Sequence, residues 1–342
     1  MDLDSRLELV TRKTQEVVTR EETEELLKEK EDPVAYIGDA PTGKMHTGHF
    51  ITHRKISDFL RAGFTFKVLL ADIHAHLDDL KSPFELLEAR SEYYEECIKG
   101  MMEATGVDWS DLEFIKGSDF ELDSDYMLNI LKMAADTTVN RCQRAAAEVV
   151  RLGDNPKLGG FIYPLLQTED VAALDADVAY GGIDQRGIYM LSREILPKFG
   201  YKKPICIFAP LLTGLTGGKM SASIEGSQID LLDDKETIEE KMKSAYCPAG
   251  EKENNGVLEH LEYLVFPVLK SNDEDFVIER PEKWGGDLVY EEYEEAEKDF
   301  LSGDLHPLDL KMAIAHELYD ILEPIRKRFE GKEDLIKKAY PD

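Results

Sequence analysis

The residues best suited to chemistry in this chain of 342 residues are two histidines one helical turn apart, in Pro41-Thr-Gly-Lys-Met-His46-Thr-Gly-His49. A short apolar run over 34–38, broken by Gly38, precedes them, and apolar residues at helical spacing follow over 50–60. Strand, glycine-bearing turn and helix is the arrangement in which backbone N–H groups at a helix N-terminus face an anion. His46 and His49 flank Gly48 at that point. Taken alone, the pair reads equally as half of a metal site or as two surface residues, and no third ligand is evident. A second element sharpens it: Gly214-Leu-Thr-Gly-Gly-Lys219-Met220-Ser221-Ala-Ser223 carries one lysine and two hydroxyls on a glycine-rich loop. Such a lysine can balance charge that develops on a polyphosphate during transfer. Both elements follow expected strands, where ligands of open α/β sheets bind.

The elements that must position these groups alternate. Apolar runs at 34–38, 66–72, 112–117, 178–180 and 204–208 read as buried parallel strands. Helical spacing fills 50–60, 83–105, 123–151, 161–174 and 185–199 between them. This predicts an α/β fold with a doubly wound parallel sheet over residues 1–230. Residues 1–31 read as two helical pieces covering it, the second opened by a capping box from Thr19 to Glu22. Residues 231–342 show no strong strand, and their helical spacing over 258–269 and 307–330 predicts a separate α-helical domain.

Composition narrows the class. No apolar run reaches the roughly 18–20 residues of a membrane span, and the first residues do not form a signal peptide, so a cytoplasmic protein is expected. The four cysteines, Cys97, Cys142, Cys206 and Cys247, have no C-x-x-C spacing, which predicts free thiols. Seventy acids against 41 bases give a net charge of −29. That surface repels itself and nucleic acid alike unless salt screens it, and at ~1 M the Debye length is ~3 Å. A halophilic source is the expectation. Any single acidic run, such as 21–25, is otherwise an ordinary solvated helix face.

With these residues in place, the chain resembles the class I aminoacyl-tRNA synthetases. His46-Thr-Gly-His49 matches their HIGH motif, and Lys219-Met-Ser-Ala-Ser223 their KMSKS motif with Ala222 in place of the second lysine. The likeness is most specific to the tyrosyl-tRNA synthetases of the archaeal and eukaryotic type and runs almost end to end. It includes Ala71-Asp-Ile-His74-Ala, Tyr163-Pro-Leu-Leu-Gln167-Thr-Glu-Asp170, Gly181-Gly-Ile-Asp-Gln185-Arg186 and His306-Pro-Leu-Asp309. The resemblance implies a Rossmann-like catalytic domain with an acceptor-stem-facing insertion, an anticodon-binding helical domain, and a homodimer. It implies ATP with Mg2+, L-tyrosine and tRNA(Tyr) as ligands, with no metal held by the protein alone.

Roles carry over residue by residue. His46, His49, Lys219, Ser221 and Ser223 would stabilise the phosphoryl transition state, with Gly38, Gly48 and Met220 completing the ATP site. Tyr36 and Asp170 would bond the tyrosine phenol, Tyr163, Gln167 and Gln185 would hold its ammonium group, and His74 would form a wall with Phe120. Glu121 stands where the family can carry Gln, and its role is open. Arg144 and Arg186 would meet the acceptor stem; Trp284, His306 and Asp309 would read the anticodon. As bare chemistry, without that resemblance, Gln167 and Asp170 read first as solvated positions of one helix face, and Trp284 as a packing anchor. The rival readings are a tryptophanyl-tRNA synthetase, which the Tyr36 and Asp170 pair disfavours, a small nucleotidylyltransferase, and a catalytically silent RNA-binding paralogue.

Overall fold

The computed structural model describes residues 1–78, 82–150, 153–218, 220, 224 and 226–341. Its frame is a six-stranded sheet of β1 (Glu16–Val18), β2 (Val34–Asp39), β3 (Thr65–Leu70), β4 (Leu112–Lys116), β5 (Val178–Gly182) and β6 (Ile205–Ala209), in the order β1-β6-β5-β2-β3-β4. All neighbours are parallel except β1, which lies antiparallel along β6. Successive strand residues face opposite sides, and both sides are covered. Ile37, Val68, Tyr180 and Ile207 pack on one side with α3 (Thr47–Arg61) and α5 (Phe84–Ala104). Tyr36, Leu69, Ala179 and Phe208 pack on the other with α6 (Ser124–Asp136), α7 (Val139–Ala146), α8 (Gly159–Ala173) and α9 (Arg186–Ile195). Burial on both faces is why these strands appear as continuous apolar runs. The doubly wound sheet is the expected one.

The differences have local causes. The first 31 residues hold α1 (Leu3–Thr11) and α2 (Arg20–Glu29) as expected, but β1 lies between them. Three residues carry too little alternation to read, and the strand exists because β6 offers an edge. Thr19 caps α2 by accepting from the Glu22 N–H, yet the reciprocal half of the box is absent: the Glu22 carboxylate pairs with Arg193 and Lys203 instead. The tract 123–151 is two helices, because Thr137 and Thr138 take extended backbone between α6 and α7, as β-branched residues favour. Beyond residue 231, helices predominate: α10 (Lys235–Ser244), α11 (Gly256–His260), α12 (Phe266–Ser271), α13 (Tyr293–Ser302), α14 (Pro307–Ile321), α15 (Glu323–Phe329) and α16 (Glu333–Ala339). A hairpin not expected there pairs β7 (Phe276–Ile278) with β8 (Leu288–Tyr290). Val257, Leu310 and Ile325 of this helical part belong to the same apolar cluster as α3 and α5.

That packing buries charge along α3, whose N-terminus carries the two histidines. Arg54, Lys55 and Asp58 are 3%, 2% and 0% exposed. Asp58 accepts from Arg12 at 2.5 Å and lies 3.1 Å from the Lys55 ammonium and 3.4 Å from Arg54. Lys55 also donates to the carbonyls of Leu9 and Arg12, beside the end of α1. Burial alone would raise the Asp58 pKa, and the three cations reverse this and hold it well below the usual range. The network pins α3 to α1 through one carboxylate. Asp58→Asn strands its cations and is expected to cost about 3–5 kcal/mol, read as lost unfolding free energy in urea; a stability within error of the parent would refute that role.

Candidate functional site

β2 and β5 are neighbours although β3 and β4 lie between them in the chain. The sheet therefore grows outward in both directions from that pair, and the crevice beyond its carboxyl ends is the expected ligand site. A cavity of about 440 Å³ opens there, within the usual range of ~300–1,000 Å³ for small-molecule sites. It is lined by Tyr36 and Gly38 of β2, by His46, Gly48 and His49 of the following turn, and by His74 of α4 (Asp72–Leu77). Tyr163, Gln167 and Asp170 of α8, Gln185 after β5, and Met220 complete it among the predicted residues.

The turn fixes the state of both histidines. The Gly48 N–H donates to His46 Nδ1 at 3.1 Å, and the His46 N–H donates to His49 Nδ1 at 3.2 Å. Each Nδ1 is thereby an acceptor, so each neutral ring carries its proton on Nε2. Burial, with His260 nearby, lowers the His46 pKa to about 4, and burial with His46 holds His49 well below the ordinary value. The rings pack with centroids 4.1 Å apart. Gly48 is required for this: a Cβ there would sit 2.9 Å from the His46 ring and 3.0 Å from Met220 Sδ. The pair is thus built as two neutral N–H donors at a helix N-terminus, and the metal half-site reading loses its lone pairs at Nδ1.

Behind the turn, His53 donates from Nδ1 to the His49 carbonyl and from Nε2 to Asp39, each at 2.8 Å. These two acceptors favour the imidazolium form of His53: burial opposes the charge, and the neighbouring Asp39 outweighs it and raises the His53 pKa. The segment after the glycine-rich loop closes on the turn through a His46–Asp230 bridge, and Thr47 N–H donates to the Ile229 carbonyl at 2.9 Å. Lys219, Ser221 and Ser223 lie outside the described residues.

At the pocket of α8, burial decides between the two readings of its polar residues. Gln167 and Asp170 are 7% and 1% exposed, which excludes solvated positions. Tyr126 donates to Asp170 Oδ1 at 2.7 Å, and Gln167 Nε2 donates to Gln185 Oε1 at 3.0 Å. The Tyr36 hydroxyl is fully buried beside Tyr189 and makes no closed hydrogen bond among the described residues, a polar atom that a ligand can satisfy. Tyr163 meets His74 edge to face at 4.8 Å. Phe120 packs on Tyr126. Asp78, Asp184 and Leu211 also line the cavity and were not singled out from the sequence. Asp184, directly before Gln185 at the end of β5, was the one with a positional signal.

The residues predicted for nucleic acid lie elsewhere. Arg144 is exposed on α7, and exposed Arg186 makes a bidentate pair with Glu16 at 2.6 and 2.9 Å. His306 caps α14 by accepting from Leu308 N–H at 3.1 Å, with Asp309 in its first turn. Trp284 ends a short 3-10 turn between β7 and β8, and its side chain is outside the description.

Residues 28–323 match the family model described as class I tRNA synthetases (W and Y). A tyrosine–tRNA ligase of Haloarcula marismortui is 60% identical over 100% of this chain and 99% of its own length, and one of Natronomonas pharaonis is 59% identical over the same shares. A crystal structure of tyrosyl-tRNA synthetase complexed with L-tyrosine from Archaeoglobus fulgidus superposes with a TM-score of 0.90 at 45% identity, covering 96% of this chain and 99% of that one. The lowered pKa of His46 has a direct check. In 15N-imidazole NMR its Nε2–H tautomer is expected to persist from about pH 8 down to about pH 5, with protonation only near 4; titration near 6.5 would refute the capped geometry.

Proposed function

We propose, on the premise that this chain belongs to the class I tRNA synthetases of the tryptophanyl and tyrosyl group, that it activates L-tyrosine with ATP and passes it to tRNA(Tyr). The carrying observation is the buried Tyr36 hydroxyl and Asp170 carboxylate on one cavity with two neutral histidine donors. Tyrosine's carboxylate attacks the α-phosphate, a P–O bond forms, and the bond to the β-phosphate breaks as pyrophosphate leaves. The terminal ribose hydroxyl of tRNA then displaces AMP from the adenylate. No side chain is needed as nucleophile, so the protein acts by positioning and by stabilising charge. His46 and His49 donate Nε2–H groups to phosphate oxygens without losing a proton, supported by the helix N-terminus. Lys219 covers the leaving pyrophosphate, with Ser221 and Ser223 as hydroxyl donors.

Magnesium comes with the nucleotide, held by phosphates and water. The described His–carboxylate group close enough to share an ion, His74–Glu121–Asp170, includes neither turn histidine. Tyr36 and Asp170 select the phenol: phenylalanine would leave a buried acceptor unpaired. Tyrosyl-tRNA synthetases are the known example of this discrimination, about 10⁵ without editing. Gln167, Gln185 and Tyr163 take the ammonium group. Arg144 and Arg186 meet the acceptor stem, and residues 231–342 read the anticodon through Trp284, His306 and Asp309. A cytoplasmic location, beside its tRNA, is consistent with that reaction. No described helix is long and apolar enough to cross a membrane.

Exposed Leu122, Met127, Leu128, Leu131 and Val139 form an apolar surface at α6 and α7. A second copy covers it in this reading, giving a homodimer. Leu131→Asp is expected to halve the mass seen by sedimentation; a single-chain mass for the parent refutes the dimer.

One assay tests the function. Pyrophosphate exchange is expected with tyrosine and not with tryptophan or phenylalanine, and to be stronger in molar than in dilute KCl, as a net charge of −29 requires. Lys219→Ala should lower it by about 10²–10³, while Asp309→Lys should weaken aminoacylation and spare exchange. Exchange driven by tryptophan would overturn the substrate; exchange that is indifferent to salt would overturn the halophilic reading.

A further inference from the structure

Asp170 has a second, hidden set of neighbours. His74, at 2% exposure, stands between two carboxylates: Nδ1 is 3.4 Å from Glu121 Oε1, and Nε2 is 3.4 Å from Asp170 Oδ2. These are ion-pair separations, not closed hydrogen bonds. Glu121 is 1% exposed, and among the described residues neither of its oxygens closes a hydrogen bond. Gly117 makes the space for it, since a Cβ there would lie 2.2 Å from Glu121 Oε1. The other Asp170 oxygen is occupied by Tyr126. A carboxylate on each ring nitrogen suits a proton-bearing imidazolium; an ion shared by the three would need one of those nitrogens as a lone pair.

We propose that His74 and Glu121 are a buried positioning pair for tyrosine recognition, in which the imidazolium held by Glu121 aims Asp170 as the acceptor of the substrate phenol and favours its ionised form. This rests on the tyrosine reading above. Asp170 needs such help: burial, and after it the Glu121 carboxylate, raise its pKa well above the ordinary value even against the opposing pull of His74 and Tyr126. A protonated Asp170 would turn a donor toward the phenol. The groups facing His74 are Glu121 ahead of α6, Asp170 and Tyr163 on α8, and Asp72 on α4; Tyr126 and Glu169 act through Asp170.

The sign follows from these partners. Burial disfavours the imidazolium, but Glu121 and then Asp170 outweigh it and raise the His74 pKa to about 9. The charged form therefore prevails below that pH, and tyrosine binding weakens as pH rises through it. Tyrosine's own amine and phenol titrate in the same region, but equally for every variant.

The test is pyrophosphate exchange with tyrosine and phenylalanine from about pH 6 to 10 on the full chain. Glu121→Gln, nearly the same shape, is expected to move the break in tyrosine KM down by about one unit or more. His74→Gln is expected to raise tyrosine KM by about 10-fold or more, to narrow the tyrosine-to-phenylalanine ratio, and to act on KM more than on kcat. A break that stays in place in Glu121→Gln, with KM and the ratio unmoved in His74→Gln, overturns the pair while leaving the tyrosine reading intact. A parent protein without tyrosine-dependent exchange overturns that reading and the pair with it.

Discussion

Two backbone N–H groups in one turn donate into two imidazole rings, and much of the molecule serves to keep them there. A helix N-terminus has N–H groups without intrahelical partners. Here two N–H groups at that end are spent on Nδ1 atoms, which sends the ring protons outward on Nε2. The site gains two donors that stay neutral at physiological pH. A lysine or arginine in their place would bind ground state and transition state alike through net charge. Neutral donors on a fixed frame act mainly where charge develops.

The frame is fixed at both ends of α3. Its last turns are held through Asp58 to α1, and its first turn is held by His53–Asp39 and the strand-like contact with Asp230. The sheet places this helix at the point where growth reverses between β2 and β5, so that the ends of β2, β3 and β5 and the helix α8 supply the remaining walls. Under the proposed function, nucleotide chemistry and amino-acid selection share one crevice but use different physics. In the proposed reaction the turn acts by oriented dipoles, whereas Asp170 acts by a carboxylate whose charge burial opposes.

What the sequence made legible follows the same division. The central strands were readable because burial on both faces leaves continuous apolar runs, and the histidine turn because its residues are contiguous. β1 and the β7–β8 hairpin were not, since three-residue strands depend on a partner edge that is distant or formed by a turn. Arg54, Lys55 and Asp58 have the composition of a solvated face, and a buried ion network has the same residue types. Gln167 and Asp170 were ambiguous for that reason until their burial was known. The contact between His74 and Glu121 joins residues 47 positions apart through space, with no local pattern to mark it. Family likeness supplied roles at single positions, but it left Glu121 open because the side chain differs there.

The far end of the chain also reaches the histidine turn. The Tyr340 hydroxyl donates to the Gly43 carbonyl at 2.6 Å across 297 residues, Arg90 links Thr42 to the Ala339 carbonyl, and Tyr94 shares Gly43. His260 Nδ1 donates to Gly256, so its Nε2 accepts from the Thr47 hydroxyl at 2.8 Å, inside the turn itself. Contacts of such sequence separation are late to form in folding. During synthesis the two histidines emerge early, yet the wall that holds their turn is incomplete until residue 340 has left the ribosome. A translating chain can thus carry a formed sheet for most of its length before its histidine turn has all its supports.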